Sequence, residues 1–268
     1  MSGFSFGGVH SSTLGIEVLK ISDPLLPPTR DRREDIPGRD GAWDFGADFG
    51  ARAISINVAL TAQAREDLRN TVRQLAARLN PKAGVKALTF DDEPGKSYAA
   101  RIAGSIPIEH LANAYAEFSI SFAAFDPVAF GEPLIWTHLV DTGAFRVNNP
   151  GTYETRPVLT ITALDGGQPG DVCLTGGYDP DEAVVDTLTN LTLALGGRTI
   201  QYFAEILPGQ SLIIDCEKLQ ASVGGLNAIS AIVGDFPVLG PGDNNLAMTD
   251  DTSTGGGAVK LEFRGRWL

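Results

Sequence analysis

Short apolar segments separated by glycine and proline recur along the whole chain. The 31 glycines and 16 prolines are spread throughout the sequence, and both residue types interrupt regular secondary structure. Between them, apolar and polar residues alternate with the two-residue period of a half-buried strand. Eight such segments predict strands: 54–60, 86–90, 97–102, 118–125, 158–164, 199–206, 211–216 and 259–265. The chain is therefore predicted to be mainly β.

One segment, TAQAREDLRNTVRQLAARLNP (61–81), follows a helical period instead. Thr61 is its candidate N-cap, and Asn80-Pro81 is expected to end the helix. The apolar stripe that would face the core consists of Leu68, Val72, Leu75, Ala76 and Leu79. The sequence thus predicts one helix in an otherwise β protein.

Arg65, Arg69 and Arg73 form a row at four-residue spacing on this helix. The favoured interpretation is a solvated face that is balanced by the neighbouring Glu66 and Asp67. The alternative is a basic ridge that docks onto an acidic partner.

The length of 268 residues suits one large or two ordinary domains. The composition changes around DPVAFGEPLIWTHLVDTG (126–143), after which strands alternate with polar loops. We therefore predict two domains, 1–135 and 136–268, and the second has the pattern of a β-sandwich.

The formal net charge of −12 argues against general binding of nucleic acid or of anionic membranes. No apolar run is long enough for a membrane-spanning helix, and the first residues do not have the pattern of a secretory signal. Cys173 and Cys216 are expected to be small buried hydrophobic residues. We expect no specific nucleic-acid binding and no membrane insertion.

No catalytic motif is recognisable in the sequence. It contains no HExxH pair, no GxSxG elbow, no Walker loop and no dinucleotide fingerprint, and its three histidines are isolated. A polysaccharide-cleaving enzyme would need a carboxylate pair, and spacing alone identifies none. The chain is therefore predicted not to be an enzyme, with no catalytic residues, no metal site and no cofactor.

Three acidic segments contain side-chain oxygens that could bind a cation. In TFDDEPGKSY (89–98), Pro94-Gly95 predicts a tight turn between two strands rather than a set of ligands. The segments 177–186 and 241–251 do not match an EF-hand loop, so both are predicted to be solvated loops.

The stretch PPTRDRREDIPGRDGAWDFG (27–46) combines large aromatic residues with glycines and many charges. It is too polar to bury itself, and a lone two-stranded hairpin is marginally stable in water. Trp43 and Phe45 alternate with Asp44, which predicts that they share one face of a strand and pack on a further surface. The alternative is a loop whose aromatic residues fold back onto their own domain.

Ordered segments along most of the chain resemble the siphophage distal tail proteins, the Dit family. The segments of the first half are FSFGGVHSSTLGIEV (4–18), IPGRDGAWDFG (36–46), RAISINV (52–58), RLNP (78–81), LTFDDEPGKSYAARIAG (88–104) and FSISFAAFDPVAFG (118–131). Those of the second half are NNPGTYETRPVLTI (148–161), SLIIDC (211–216) and GDFPVLGPGDNN (234–245). The second half diverges more than the first.

This resemblance implies an N-terminal split β-barrel with one helix, followed by a galectin-like or carbohydrate-module-like β-sandwich. It also implies a belt hairpin at about residues 28–50, which clasps the next subunit of a hexameric ring. The subunit-interface residues expected in the belt are Arg30, Arg32, Arg33, Arg39, Asp40, Gly41, Trp43 and Phe45. The arginines would then pair with an acidic neighbour.

The function implied is structural. Such a ring joins the tail tube protein to the tail-associated lysin or hub protein and lets DNA pass, in a virion assembled in the bacterial host cytoplasm. The alternative function is a carbohydrate-binding module that attaches to host cell-surface polysaccharide.

Overall fold

The computed structural model describes residues 3–112, 114–139, 145–163, 187–251 and 257–268. The chain divides into two compact units, Met1–Gly131 with Trp267–Leu268 and Glu132–Arg266. The observed division and the predicted one at 135/136 both fall within a single strand, Ala129–Leu139. The assignment of ring formation to residues 1–135 stays a prediction.

The first unit holds one α-helix and an open antiparallel sheet. Its elements are β1 (Phe4–Phe6), β2 (Val9–His10), β3 (Ile16–Ser22), β4 (Thr29–Asp35), β5 (Ala42–Phe49), β6 (Arg52–Thr61), α1 (Arg65–Arg78), β7 (Lys86–Phe90), β8 (Tyr98–Ile102), β9 (Ile108–Ala112), β10 (Tyr115–Ala124) and the start of β11 (Ala129–Leu139). The sheet order is β2-β1-β7-β8-β10-β6-β3, and β9 pairs with β10. Short 3-10 helices cover Ser11–Leu14 and Pro81–Ala83.

The long central pair β6 and β10 organises the core of this unit. Ile56 lies opposite Ile120 and Val58 opposite Phe118, and every second residue of both strands is buried. Phe4 and Phe6 pack edge-on against Phe122, with ring centroids 6.0 and 5.1 Å away. The alternation read from the sequence therefore corresponds to a real buried face.

The predicted helix is present as α1, and it ends before Pro81 as expected. Its buried residues are Leu68 and Leu75, the C-cap residue Leu79 is also buried, and Val72 is half-buried. Two details were wrong. Thr61 does not cap the helix, because it is the last residue of β6, where it pairs with Tyr115. Ala76 is exposed, because it lies one position beyond the centre of the apolar stripe.

The second unit is a two-layer β-sandwich. Its further strands are β12 (Phe145–Asn149), β13 (Val158–Ala163), β14 (Leu188–Leu195), β15 (Arg198–Ile206), β16 (Ser211–Asp215), β17 (Gln220–Val223), β18 (Leu226–Asn227), β19 (Ile232–Gly234), β20 (Gly242–Thr249) and β21 (Gly257–Trp267). One sheet has the order β11-β21-β13-β16-β17-β18, and the other β12-β20-β14-β15-β19. A short 3-10 helix covers Ile229–Ala231.

A single hydrophobic cluster joins the two sheets of the sandwich. Ile161 and Leu261 of one sheet and Leu193 and Leu246 of the other are all fully buried members of it. Cys216 belongs to the same cluster, so it is the small buried hydrophobic residue that was expected. Cys173 and the segment 177–186 lie outside the described residues.

The predicted fold class is confirmed: a mainly β chain with one helix, a split-barrel sheet with a hairpin, and a sandwich. All eight predicted strands are present. The prediction of a solvated loop at 241–251 was wrong, because most of this segment forms β20, in which Asn244 and Leu246 are buried.

Candidate functional site: the exposed hairpin

The part of the chain that the structure describes holds no group of three or more histidine, cysteine or acidic residues that could bind a metal ion. Asp91 of the predicted turn accepts a hydrogen bond from the Gly3 N–H at 2.7 Å, and the His10 ring lies 3.2 Å away. These two contacts, the Gly3 bond first, hold the pKa of the Asp91 carboxyl below its usual range. These contacts hold Gly3, the first described residue, against the turn after β7.

β4 and β5 form a separate two-stranded sheet, the hairpin. Thr29 lies opposite Phe49 at its base, and Asp35 lies opposite Ala42 next to its tip. Every residue of both strands is exposed except Phe49, which is half-buried. An isolated hairpin is only marginally stable in water. Because both strands are exposed, this hairpin is suited to packing on another surface.

A β-bulge interrupts the hairpin near its middle. Asp31 pairs with Ala47 but Arg33 pairs with Asp44, so Phe45 and Gly46 together oppose the single residue Arg32. Gly46 has a φ of +90°, a conformation that side chains disfavour. Its N–H donates to the Asp44 carboxylate at 2.8 Å, which fixes the bulge.

The tip is a turn between Ile36 and Gly41. The Arg39 N–H donates to the Ile36 carbonyl at 3.2 Å, and Gly41 takes a φ of +82°. The Arg39 guanidinium lies over the Trp43 ring, 4.5 Å from its centroid. Arg39, Asp40 and Gly41 are therefore at the tip of the hairpin.

Trp43 and Phe45 are not part of the core. Their exposed fractions are 48% and 63%. The alternative in which these aromatic residues fold back onto their own domain is therefore wrong for both side chains. Large apolar side chains this exposed are typical of interaction surfaces.

The other candidate interface residues are exposed on β4. Arg32 forms an ion pair with Asp48 across the hairpin. Arg30 and Arg33 form no ion pair within the described ranges. These two cations are available to a partner.

Arg52, which the sequence analysis did not single out, anchors the base of the hairpin. Its side chain is only 2% exposed, and its Nη1 donates to the Asp23 carboxylate and to the Pro24 carbonyl, each at 3.0 Å. Its Nε donates to the Pro127 carbonyl at 2.9 Å. Because Asp23 precedes β4 and Arg52 follows β5, this network holds both ends of the hairpin.

Tyr98 completes the network from the neighbouring sheet. Its hydroxyl donates to Asp23 at 3.3 Å and accepts from Arg52 at 3.5 Å. Burial, followed by the nearby Asp23 carboxylate, raises the pKa of Tyr98 to about 12. The base is closed by the Gly50 N–H, which donates to the Pro28 carbonyl at 2.6 Å.

The arginine row of α1 is solvent-exposed. Arg65, Arg69 and Arg73 form no ion pair within the described residues, and neither do Glu66 and Asp67. The expected local balance of charge is thus not made by direct pairs. Both interpretations of the row, a solvated face and a docking ridge, stay predictions.

Two family models match the chain. Residues 10–124 match the phage tail protein RIFT-related domain, and residues 184–267 match the C-terminal domain of the siphovirus-type tail component. The chain belongs to the siphophage distal tail protein family. The first match spans the hairpin, its Arg52 anchor and α1, so the candidate site lies in the tail-protein domain. As a tail component, the protein is a part of the virion.

The fold is also similar to solved tail structures. The crystal structure of SPP1 Dit, described as a paradigm of the hub adsorption apparatus in phages that infect Gram-positive bacteria, has a TM-score of 0.76 at 16% identity over 100% of both chains. Two structures of the activated phage P2 baseplate, with Ca and with Sr, have TM-scores of 0.42 at 8% identity over 98% of both chains. No curated protein matches the chain in sequence. None of the helices in the described ranges is long and apolar enough to cross a membrane.

Proposed function

We propose that this distal tail protein forms a hexameric ring that joins the tail tube to the hub or baseplate of a siphophage tail and leaves a lumen for DNA. The ring has no catalytic role and is assembled in the host cytoplasm. Its partners are five further copies, the tail tube protein and the tail-associated lysin or hub protein.

The observation that carries this proposal is the exposed hairpin. Among the described strands its two strands pair only with each other, yet its base is held by the buried Arg52 network. A segment that exposes Trp43 and Phe45 while its ends are fixed is suited to reaching another subunit. The similarity to SPP1 Dit, described as part of a hub, supports the same role.

The net charge of −12 also suits a channel for DNA, because an acidic wall does not retain a passing polyanion. We expect the lumen of the ring to be lined by acidic residues. A lumen found to be basic or neutral would remove this part of the proposal.

Electron microscopy of the purified protein tests the ring directly. Class averages are expected to show sixfold symmetry around a central hole. If rings are absent both for the chain alone and for the chain mixed with the tube and hub proteins of the same phage, the proposal is wrong.

The alternative, carbohydrate binding, receives no comparable support. A groove of about 460 Å³ opens on the sandwich beside β16 and β17, and its walls are aliphatic and polar without an aromatic side chain. Ligand pockets are usually lined by apolar and aromatic residues with a few placed polar groups. Binding of the purified protein to isolated host cell walls would revive this alternative.

A further inference from the structure

The register of the hairpin gives it two faces of different chemistry. Residues directly opposite each other in an antiparallel pair point to the same side, and neighbours along a strand point to opposite sides. The aromatic face consists of Arg30, Arg32, Glu34, Trp43, Phe45 and Asp48. The acidic face consists of Asp31, Arg33, Asp35, Ala42, Asp44 and Ala47, together with Thr29 and the half-buried Phe49 at the base.

Two contacts agree with this division. The ion pair between Arg32 and Asp48 joins two residues of the aromatic face. The guanidinium of Arg39, from the tip, stacks on Trp43 and so adds a third arginine to that face. The bulge matters here, because with strict alternation along β5 from Trp43 to Asp48 the Asp48 side chain would lie on the other side from Arg32.

Burial in an interface would have a different energetic effect on each of the two faces. The aromatic face carries two large apolar side chains, and its arginines outnumber its acids. Apart from Phe49, which is already half-buried at the base, the acidic face has one threonine, three aspartates, one arginine and two alanines. Its burial would therefore desolvate carboxylates and cover little further apolar area.

We propose that the aromatic face docks onto a second copy of this chain, while the acidic face stays in solvent. This inference rests on the proposed ring. A second copy is the occupant that charge favours, because a chain with a net charge of −12 complements an arginine-rich face and repels an aspartate-rich one. Trp43 and Phe45 are the anchors, since aromatic and arginine side chains dominate interface energetics.

Matched substitutions on the two faces test the assignment. On the aromatic face, Trp43→Thr and Phe45→Thr keep strand propensity and remove the apolar anchors. On the acidic face, Ala42→Arg and Ala47→Lys add bulk and charge, and each new cation lies opposite an aspartate, Asp35 or Asp31, with which it can pair. All four positions are exposed, so the fold of the single chain is expected to survive, and circular dichroism melting checks this.

Sedimentation velocity over a concentration series gives the apparent association constant of each variant. Each aromatic-face variant is expected to weaken self-association by about thirtyfold. The acidic-face variants are expected to associate like the wild type. A photoreactive phenylalanine analogue at Phe45 is expected to crosslink two copies, and the same analogue at Ala47 is not.

The contrary outcomes are distinct. Loss of association by the acidic-face variants, alone or together with the aromatic-face ones, overturns the face assignment and leaves the ring proposal standing. Crosslinking of Phe45 only to tube or hub proteins added to the mixture overturns the second copy as occupant. A wild-type chain that stays monomeric both alone and with those proteins contradicts the proposed ring itself, and this inference with it.

Discussion

The guanidinium of Arg52 donates a hydrogen bond to the carboxylate of Asp23 across the two ends of the hairpin, with 3.0 Å between Nη1 and Oδ1. The arginine is buried and the aspartate side chain is 30% exposed. Through this ion pair the folded sheet fixes the orientation of the exposed hairpin.

Removing the buried arginine is expected to destabilise the protein strongly. Arg52→Met leaves Asp23 and the Tyr98 hydroxyl without their cationic partner, at a cost of about 3 kcal/mol in the free energy of unfolding. Arg32→Met is the matched control, because the Arg32–Asp48 pair is exposed and should contribute less than about 1 kcal/mol. Urea denaturation measures both, and equal losses in the two variants would contradict the anchoring role of Arg52.

The bulge at Gly46 is expected to affect the local stability of the hairpin but not the stability of the core. Gly46→Ala places a side chain at a φ of +90°, which costs about 1–2 kcal/mol locally although open space surrounds the position. Amide hydrogen exchange of β4 and β5 should accelerate, while exchange in β6 and β10 should not change. Unchanged exchange in the hairpin would show that the bulge is unimportant.

Alkaline pH is expected to weaken the fold through buried acids, chiefly Cys216 and Tyr98. Burial raises the pKa of the Cys216 thiol from 9.0 to about 12, and the pKa of Tyr98 rises from 10.0 to about 12. The unfolded chain loses these protons first, so stability falls from about pH 9 for Cys216 and from about pH 10 for Tyr98.

Cys216→Ala should therefore flatten the decline between pH 9 and 10, where the buried thiol is the earlier of the two groups to titrate. Thermal melting at stepped pH values measures this. A variant whose melting temperature falls as steeply as that of the wild type over this interval would show that the thiol does not contribute.

The arginine row of α1 is expected to act as a solvated face. Arg69→Gln relieves repulsion from Arg65 and Arg73, so the helix should gain a few tenths of a kcal/mol, about 0.2–0.5. Oligomer mass should be unchanged. If the variant assembles poorly while its melting temperature is kept, the row is a docking ridge for an acidic partner.

The strands were predictable because they depend on local patterns, whereas the hairpin was expected from the family resemblance. Alternation in 54–60 and 118–125 reflects a face that is buried along the whole length of β6 and β10. Strand β20 was missed because its aspartate and asparagines suggested a loop. In the structure Asn244 donates to the Gly240 and Gly242 carbonyls, so it is a buried residue with its hydrogen bonds made.

The anchor and the two faces of the hairpin depend on non-local geometry. Nothing in the sequence around Arg52 distinguishes it from an exposed arginine, because its partners lie at Asp23, Tyr98 and Pro127. The division into two faces depends on the β-bulge at Gly46. The sequence does not reveal this bulge, because a glycine at this position is equally compatible with a turn.

The mass of the assembled protein, with and without the hairpin, tests the central claim most directly. The Gly50–Pro28 hydrogen bond brings the ends of 29–49 together, so a short glycine-serine turn can replace this segment without strain. Light scattering should give six times 28.3 kDa for the native chain and a folded monomer for the replacement. A native chain that is monomeric at every concentration, both alone and mixed with the tube and hub proteins, or a hexamer that persists without the hairpin, would contradict the account.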